Sequence, residues 1–181
     1  MKTTVSILGL ILTVTCSVAL AQDKVPLKTE LPSPLLVGTP VPIKLPNLEP
    51  EQKGKRPDFM VPAGTVNLAA GKKVTGSDKE PVIGSLDLIT DGDKSADEGS
   101  WVEMAPGKQW VQIDLEKESE IYAVLVWHYH SQQRAYLNVV VQASNDPAFE
   151  KGVTTIFNAD TANELGLGAG KDRPYIENFQ G

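Results

Sequence analysis

The chain reads as an all-β protein, an antiparallel β-sandwich. Three observations point there. Residues 109–115, Gln-Trp-Val-Gln-Ile-Asp-Leu, alternate strictly: Val111, Ile113 and Leu115 face one way, Trp110, Gln112 and Asp114 the other. That is the period of a half-buried strand. Further short apolar runs follow one another, each bounded by Gly, Pro or Asp turns, which is the spacing of a sandwich. No long stretch carries a helical period, and there is no internal repeat.

Taken in order, the chain starts with an address. Met1-Lys2 is a short basic start, residues 5–14 are apolar, and Ala19-Leu20-Ala21 has the small-x-small form of a cleavage site. Residues 1–21 are therefore expected to be a signal peptide, with Gln22 as the mature start and a secreted, periplasmic or cell-surface location. The apolar run is too short to span a bilayer. Cys16, the only cysteine, lies inside this peptide, and Thr13 and Thr15 fit a lipoprotein signal poorly. The mature chain is thus expected to use neither disulfides nor thiol chemistry. No second apolar run follows, so no membrane span is expected in the mature chain.

Residues 22–64 form a proline-rich linker or tail, with prolines at 26, 32, 34, 40, 42, 46, 50, 57 and 62. Such a segment loses backbone donors every few residues and favours extended conformations over a regular ladder. Only short edge pairings are expected there. It is either a spacer or a tail that lies across the domain; Leu35-Leu36-Val37 and Val41-Pro-Ile43 are apolar enough to pack.

The globular part spans residues 65–181. It opens with 67–75, Asn-Leu-Ala-Ala-Gly-Lys-Lys-Val-Thr, continues through 83–90, and reaches the acidic loop 91–99 and the short run 101–104. Pro106-Gly107 turns the chain into the alternating strand 109–115. After a charged connection at 116–120, residues 121–130, Ile-Tyr-Ala-Val-Leu-Val-Trp-His-Tyr-His, are apolar on both faces until the histidines. That pattern predicts a strand in the middle of a packed sheet. Residues 138–144 form a third strand closed by the turn Asn145-Asp146-Pro147, and 153–157 a fourth. Period and side-chain type predict a core of Val111, Ile113, Leu115, Val124, Val126, Val139 and Val141.

Charge excludes one class of partner. From Thr65 onward there are 10 Lys and Arg against 18 Asp and Glu, with no basic stripe, so nucleic acid is not expected to bind. The acidic balance suits solubility and metal cations.

Together, Asn67-Leu-Ala-x-Gly-Lys, Thr90-Asp91-Gly92-Asp93, Trp101, Trp110-Val-Gln-Ile-Asp-Leu115, Ile121-x-x-Val124 and Val139-x-Val141-x-x-Ser144-x-Asp146 resemble the discoidin domain. This is the coagulation factor V/VIII type C module, with its galactose-binding-like jelly roll. The likeness runs over most of residues 67–157. It implies a secreted, non-catalytic module that recognises carbohydrate at a cell surface or extracellular polymer, through loops at one end of the sandwich. Family members close with two further strands, for which the Gly- and Asn-rich stretch after Phe157 supplies no pattern. The expectation is a C-terminally incomplete sandwich with exposed edges.

Two constellations bear on binding. Asp91-x-Asp93-x-Ser95-x-Asp97 places oxygen ligands at alternate positions of a tight loop, the ligand spacing of a loop for a hard cation such as Ca2+, with Asp91, Asp93 and Ser95 as the candidate ligands. It is not an EF-hand, since Ala96 and Val102 stand where Gly and Glu are needed. The resemblance implies a structural calcium on this Asp-Gly loop, with Asp91 the matching Asp. His128 and His130, beside Trp127, Tyr129, Arg134 and Asn138, combine ring faces with polar groups of fixed geometry, as sugar sites do. These four polar residues are the candidate ligand-binding set. The alternative is that Trp127 and Tyr129 are packing residues and His130 caps the strand.

No nucleophile elbow, cysteine nucleophile or His-Glu-x-x-His is present, and Gly166-Leu-Gly-Ala-Gly170 lacks the strand and helix of a dinucleotide site. No enzyme is expected. The alternatives to carbohydrate binding are a protein–protein adhesion or structural module, and an ancillary domain of a larger hydrolase.

Overall fold

The structure, a computed structural model, describes residues 23–39, 41–50 and 54–181. The expected signal peptide, Cys16 included, lies outside them. No described helix is long and apolar enough to cross a membrane.

The protein is all-β. Among the described residues the one helical element is a 3-10 turn at Leu86–Ile89. The strands pair antiparallel, two by two. β1 (Lys24–Pro26) pairs with β2 (Met60–Pro62), and β3 (Val74–Gly76) with β4 (Val111–Ile113). β5 (Ala135–Tyr136) pairs with β8 (Tyr175–Ile176), and β6 (Val140–Ala143) with β7 (Thr154–Asn158). An isolated bridge joins Ile83 to Glu103. The strands expected at 109–115 and 138–144 are thus present in shorter form, and that at 153–157 is present one position later. A short strand does follow Phe157, at Tyr175–Ile176, where the sequence showed none.

The core differs from the expected one. The buried apolar residues are Val61, Ala96 and Ala159. Ile113, Leu115, Val139 and Val141 are half-buried, whereas Val111, Val124 and Val126 are exposed by 42%, 46% and 40%. Register explains Val111. It sits opposite Gly76, which has no side chain to cover it, and a Cβ there would come within 3.0 Å of the Trp110 carbonyl oxygen. Val124 and Val126 lie in 121–130, the expected central strand, which forms no ladder. No described strand pairs with it, since every ladder is a two-stranded ribbon of other segments. A bulge in the β6–β7 register likewise sets Ile156 aside, 47% exposed.

Much of the burial is polar, and hydrogen bonds organise it. Asp160 is fully buried; its two carboxylate oxygens accept from the N–H groups of Glu164 (2.8 Å) and Leu165 (2.7 Å). Asn158 accepts from the Asp160 N–H and donates to the Gly168 carbonyl, while its own N–H donates to Asp172. The Gly- and Asn-rich stretch is therefore a closed loop wound on two side chains, with its buried donors and acceptors matched. Gly170 is required there, since a Cβ would overlap the backbone and side-chain oxygens of Asn158.

Beyond the β1–β2 pairing, the described proline-rich residues contain no regular element, as expected. They lie against the domain as a strap. The Val37 N–H donates to the Ser131 carbonyl (2.5 Å) and the Glu49 N–H to the Pro174 carbonyl (2.8 Å). The Arg56 N–H donates to Gln180 Oε1 (3.1 Å), and Gln180 Nε2 to the Gly54 carbonyl (3.2 Å).

Candidate functional site

The histidines and aromatics after residue 126 gather where β5 and β8 pair. This pairing brings Tyr136 opposite Tyr175 and puts the buried Glu177 beneath His128. The Glu177 carboxylate accepts from the His128 N–H (3.1 Å) and faces His128 Nδ1 at 3.2 Å. The His128 ring stacks on Tyr136, with centroids 4.1 Å apart, and Tyr175 Oη stands 3.3 Å from the same Nδ1. Burial pushes the Tyr136 hydroxyl up to about 12 and raises that of Tyr175 further, with the Glu177 charge adding to both. His128 is thus braced on three sides. It is a packing and orienting residue here, with only 26% of its side chain exposed.

His130 is 4% exposed. Its Nδ1 lies 3.1 Å from the His128 carbonyl oxygen, an acceptor, so Nδ1 carries a proton. Its Nε2 is buried with no partner among the described residues. Among the described residues no group of three or more His, Cys, Asp or Glu comes together.

Arg134 behaves differently. Its guanidinium lies over the Tyr129 ring, 4.6 Å from the centroid, and donates to Gln132 Oε1 at 3.1 Å. Both Arg134 and Gln132 are exposed. Tyr129 is fixed from behind by Trp101, whose ring is 4.8 Å away, and by the Tyr136 hydroxyl on its carbonyl (2.8 Å). The result is a rigid ring carrying a planar cation and an amide at the surface, a set of donors that suits hydroxyl groups. Asn138 is not part of it. Its left-handed backbone (φ 55°) opens β6, and its amide donates to Glu164 at 2.8 Å, on the loop wound around Asp160. Of the four candidate residues, His128 and His130 are held inward by their own partners, Arg134 lies on Tyr129 at the surface, and Asn138 stands apart.

Glu177, Tyr136 and Tyr175 were missed by sequence reasoning. The alternation of Tyr175-x-Glu177 after Pro174 is a faint strand signal, too short to read without its partner Ala135–Tyr136.

The acidic loop folds on itself. The Asp91 carboxylate accepts from the Asp93 N–H (2.8 Å), and the Asp93 carboxylate from the Ser95 N–H (2.8 Å). The Ser95 N–H and then its hydroxyl hold the Asp93 carboxyl below the usual range. The Lys94 ammonium donates to the Gly92 carbonyl at 2.9 Å. Asp91, Asp93 and Ser95 share one loop and offer hard oxygen donors, which is the right chemistry for calcium. As a donor set they are partial, and Lys94 competes for a carbonyl.

No curated protein and no solved structure matches the chain. Residues 88–173 match the family model described as the NedA-like, galactose-binding domain. That match covers the acidic loop, the Tyr129–Arg134 surface and the loop wound around Asp160, and over those residues the chain is similar to the galactose-binding-like, discoidin-type family.

Proposed function

We propose that the protein is a secreted, non-catalytic module that binds carbohydrate at the surface formed by Tyr129, Gln132 and Arg134. One observation carries the reading: an exposed guanidinium held 4.6 Å over a buttressed aromatic ring, with a primary amide bonded to it, inside a segment that matches a galactose-binding domain model. A sugar needs an apolar face for its ring and fixed donors for its hydroxyls. Galactose is the natural first probe. The braced His128 holds the ring cluster in place, and the Asp91–Ser95 loop is the structural calcium site of the same module.

A glycan array on the full chain tests this. Binding to galactose-containing glycans is expected, and Arg134→Ala should weaken it about tenfold or more, since it removes charge-assisted donors. An array with no glycan bound, or an unchanged profile for Arg134→Ala, rejects the site.

One observation favours a second reading, a protein–protein module. Residues 121–126 are apolar, five of the six exposed, and make no backbone–backbone hydrogen bond among the described residues. An extended partner strand would find free backbone groups there. Concentration-dependent self-association or partner capture that Val124→Lys abolishes, with no glycan bound, would favour it.

A further inference from the structure

The turn that ends at Arg134 is pinned at both ends. At its start the Ser131 carbonyl accepts from the Val37 N–H of the strap, and at its end the Arg134 carbonyl accepts from the Glu177 N–H (3.2 Å). Between these anchors the exposed side chains of Gln132 and Arg134 bond to each other, and the guanidinium rests 4.6 Å over Tyr129. The Arg134 head group is therefore held in place before any ligand arrives, and little side-chain freedom remains to be lost on binding.

The free polar groups of this pair are all of one kind. Gln132 Oε1 accepts from Arg134 Nη2, which engages the one acceptor atom of that amide. The Gln132 Nε2 group and the remaining guanidinium N–H groups make no hydrogen bond to the described residues, and Arg134 forms no ion pair among them. All of these groups donate. A sugar hydroxyl both donates and accepts, so an edge of hydroxyls alone would find no acceptor in the pair. A carboxylate accepts only, and its two oxygens lie in one plane, so it pairs with a guanidinium through parallel, charge-assisted hydrogen bonds. The formal charge of −6 opposes an anion at long range. That field is screened beyond about 8 Å at physiological salt, whereas direct contact with Arg134 is not.

We infer that the sugar taken at this surface is acidic, a hexuronic acid of the galactose series whose carboxylate accepts from the Arg134 guanidinium and from the Gln132 amide nitrogen. This rests on the carbohydrate reading above and narrows its substrate class. A galacturonide keeps the ring hydroxyls of galactose and carries a carboxylate in place of the hydroxymethyl group. The galactose ring supplies the likeness to the matched domain model, and the carboxylate supplies the partner that Arg134 lacks.

Calorimetry on the full chain at pH 7 with methyl galactoside, methyl galacturonide and the neutral methyl ester of that galacturonide tests the assignment. The galacturonide should bind about tenfold more tightly than either neutral sugar. Arg134→Gln keeps a donor and loses the charge, so the galacturonide should fall to the level of the neutral sugars. Arg134→Lys keeps the charge and loses the planar fork, and should retain part of the preference. Lys117→Gln removes an exposed cation from the connection 116–120 and should leave the preference at its parent value. Melting temperatures of these variants should stay close to the parent's, because both positions are exposed. If the parent binds the galacturonide no better than the galactoside, or if Lys117→Gln removes the preference as fully as Arg134→Gln does, the carboxylate assignment is overturned and the carbohydrate reading stands. If the parent binds none of the three sugars, both are overturned.

Discussion

At the scale of single residues, the site depends on groups whose ordinary ionisation the fold suppresses. Tyr136 stacks on His128, and burial pushes its hydroxyl up to about 12. A folded-state value above the ordinary 10 means that the fold favours the neutral phenol. That contribution to stability is complete below pH 10 and is lost as pH rises through about 12. Tyr175, raised for the same first cause, acts in the same direction and window or above it. Denaturant midpoints should therefore fall from pH 10 upward, and the phenolate absorbance should show late-titrating tyrosines. Tyr136→Phe should remove one late step and flatten the decline. A single unperturbed step near pH 10 for all four tyrosines would show that the ring cluster is not buried.

At the scale of elements, short loops and two-residue pairings carry more of the structure than long strands do. The loop from Asn158 to Asp172 shows why. Asp160 accepts two backbone N–H groups from a fully buried position. Asp160→Ala leaves those donors unpaired and should cost about 2–3 kcal/mol, read as a lower urea midpoint at unchanged slope. Midpoints within error of the parent would mean that water replaces the carboxylate and the loop is not wound on it. This loop also marks the limit of what the sequence disclosed. The alternation at 109–115 was legible, and so were the strands at 138–144 and 153–157, because period two is a local signal. Val111 was misplaced because its cover depends on Gly76, 35 positions away in the chain and opposite in register. The strand pattern at 121–130 expressed what its side chains favour, but a ladder also needs a partner edge alongside, which a local pattern does not report, and no described strand pairs with it. Arg134 was legible as a polar group among aromatics. Glu177 was not, because nothing local ties it to His128 across 49 residues.

At the scale of the whole molecule, a sparse apolar core and a formal charge of −6 leave stability sensitive to small terms. Calcium at the acidic loop would be one of them. Asp91, Asp93 and Asp97 lie within seven residues, and their mutual repulsion is offset by backbone N–H groups, by the Ser95 hydroxyl on Asp93 and by the nearby Lys94 ammonium. A divalent cation would neutralise two of these charges directly and would have to displace the Lys94 ammonium to reach the Gly92 carbonyl. An ion that binds the native state alone stabilises it by mass action, by about 2.7 kcal/mol when its concentration is a hundred times the dissociation constant, and so raises the melting temperature. Melting in millimolar calcium should therefore occur above melting in chelator. Asp91→Ala should abolish the difference, Asp97→Ala should reduce it less, and Lys94→Gln should enlarge it by removing the competitor. The Lys94 variant separates a bound ion from general screening, since screening by salt would act on the parent and on Lys94→Gln in magnesium and calcium alike. Equal melting temperatures in calcium and in chelator for the parent and for Lys94→Gln would leave Asp91-Gly92 as a turn closed by its own backbone.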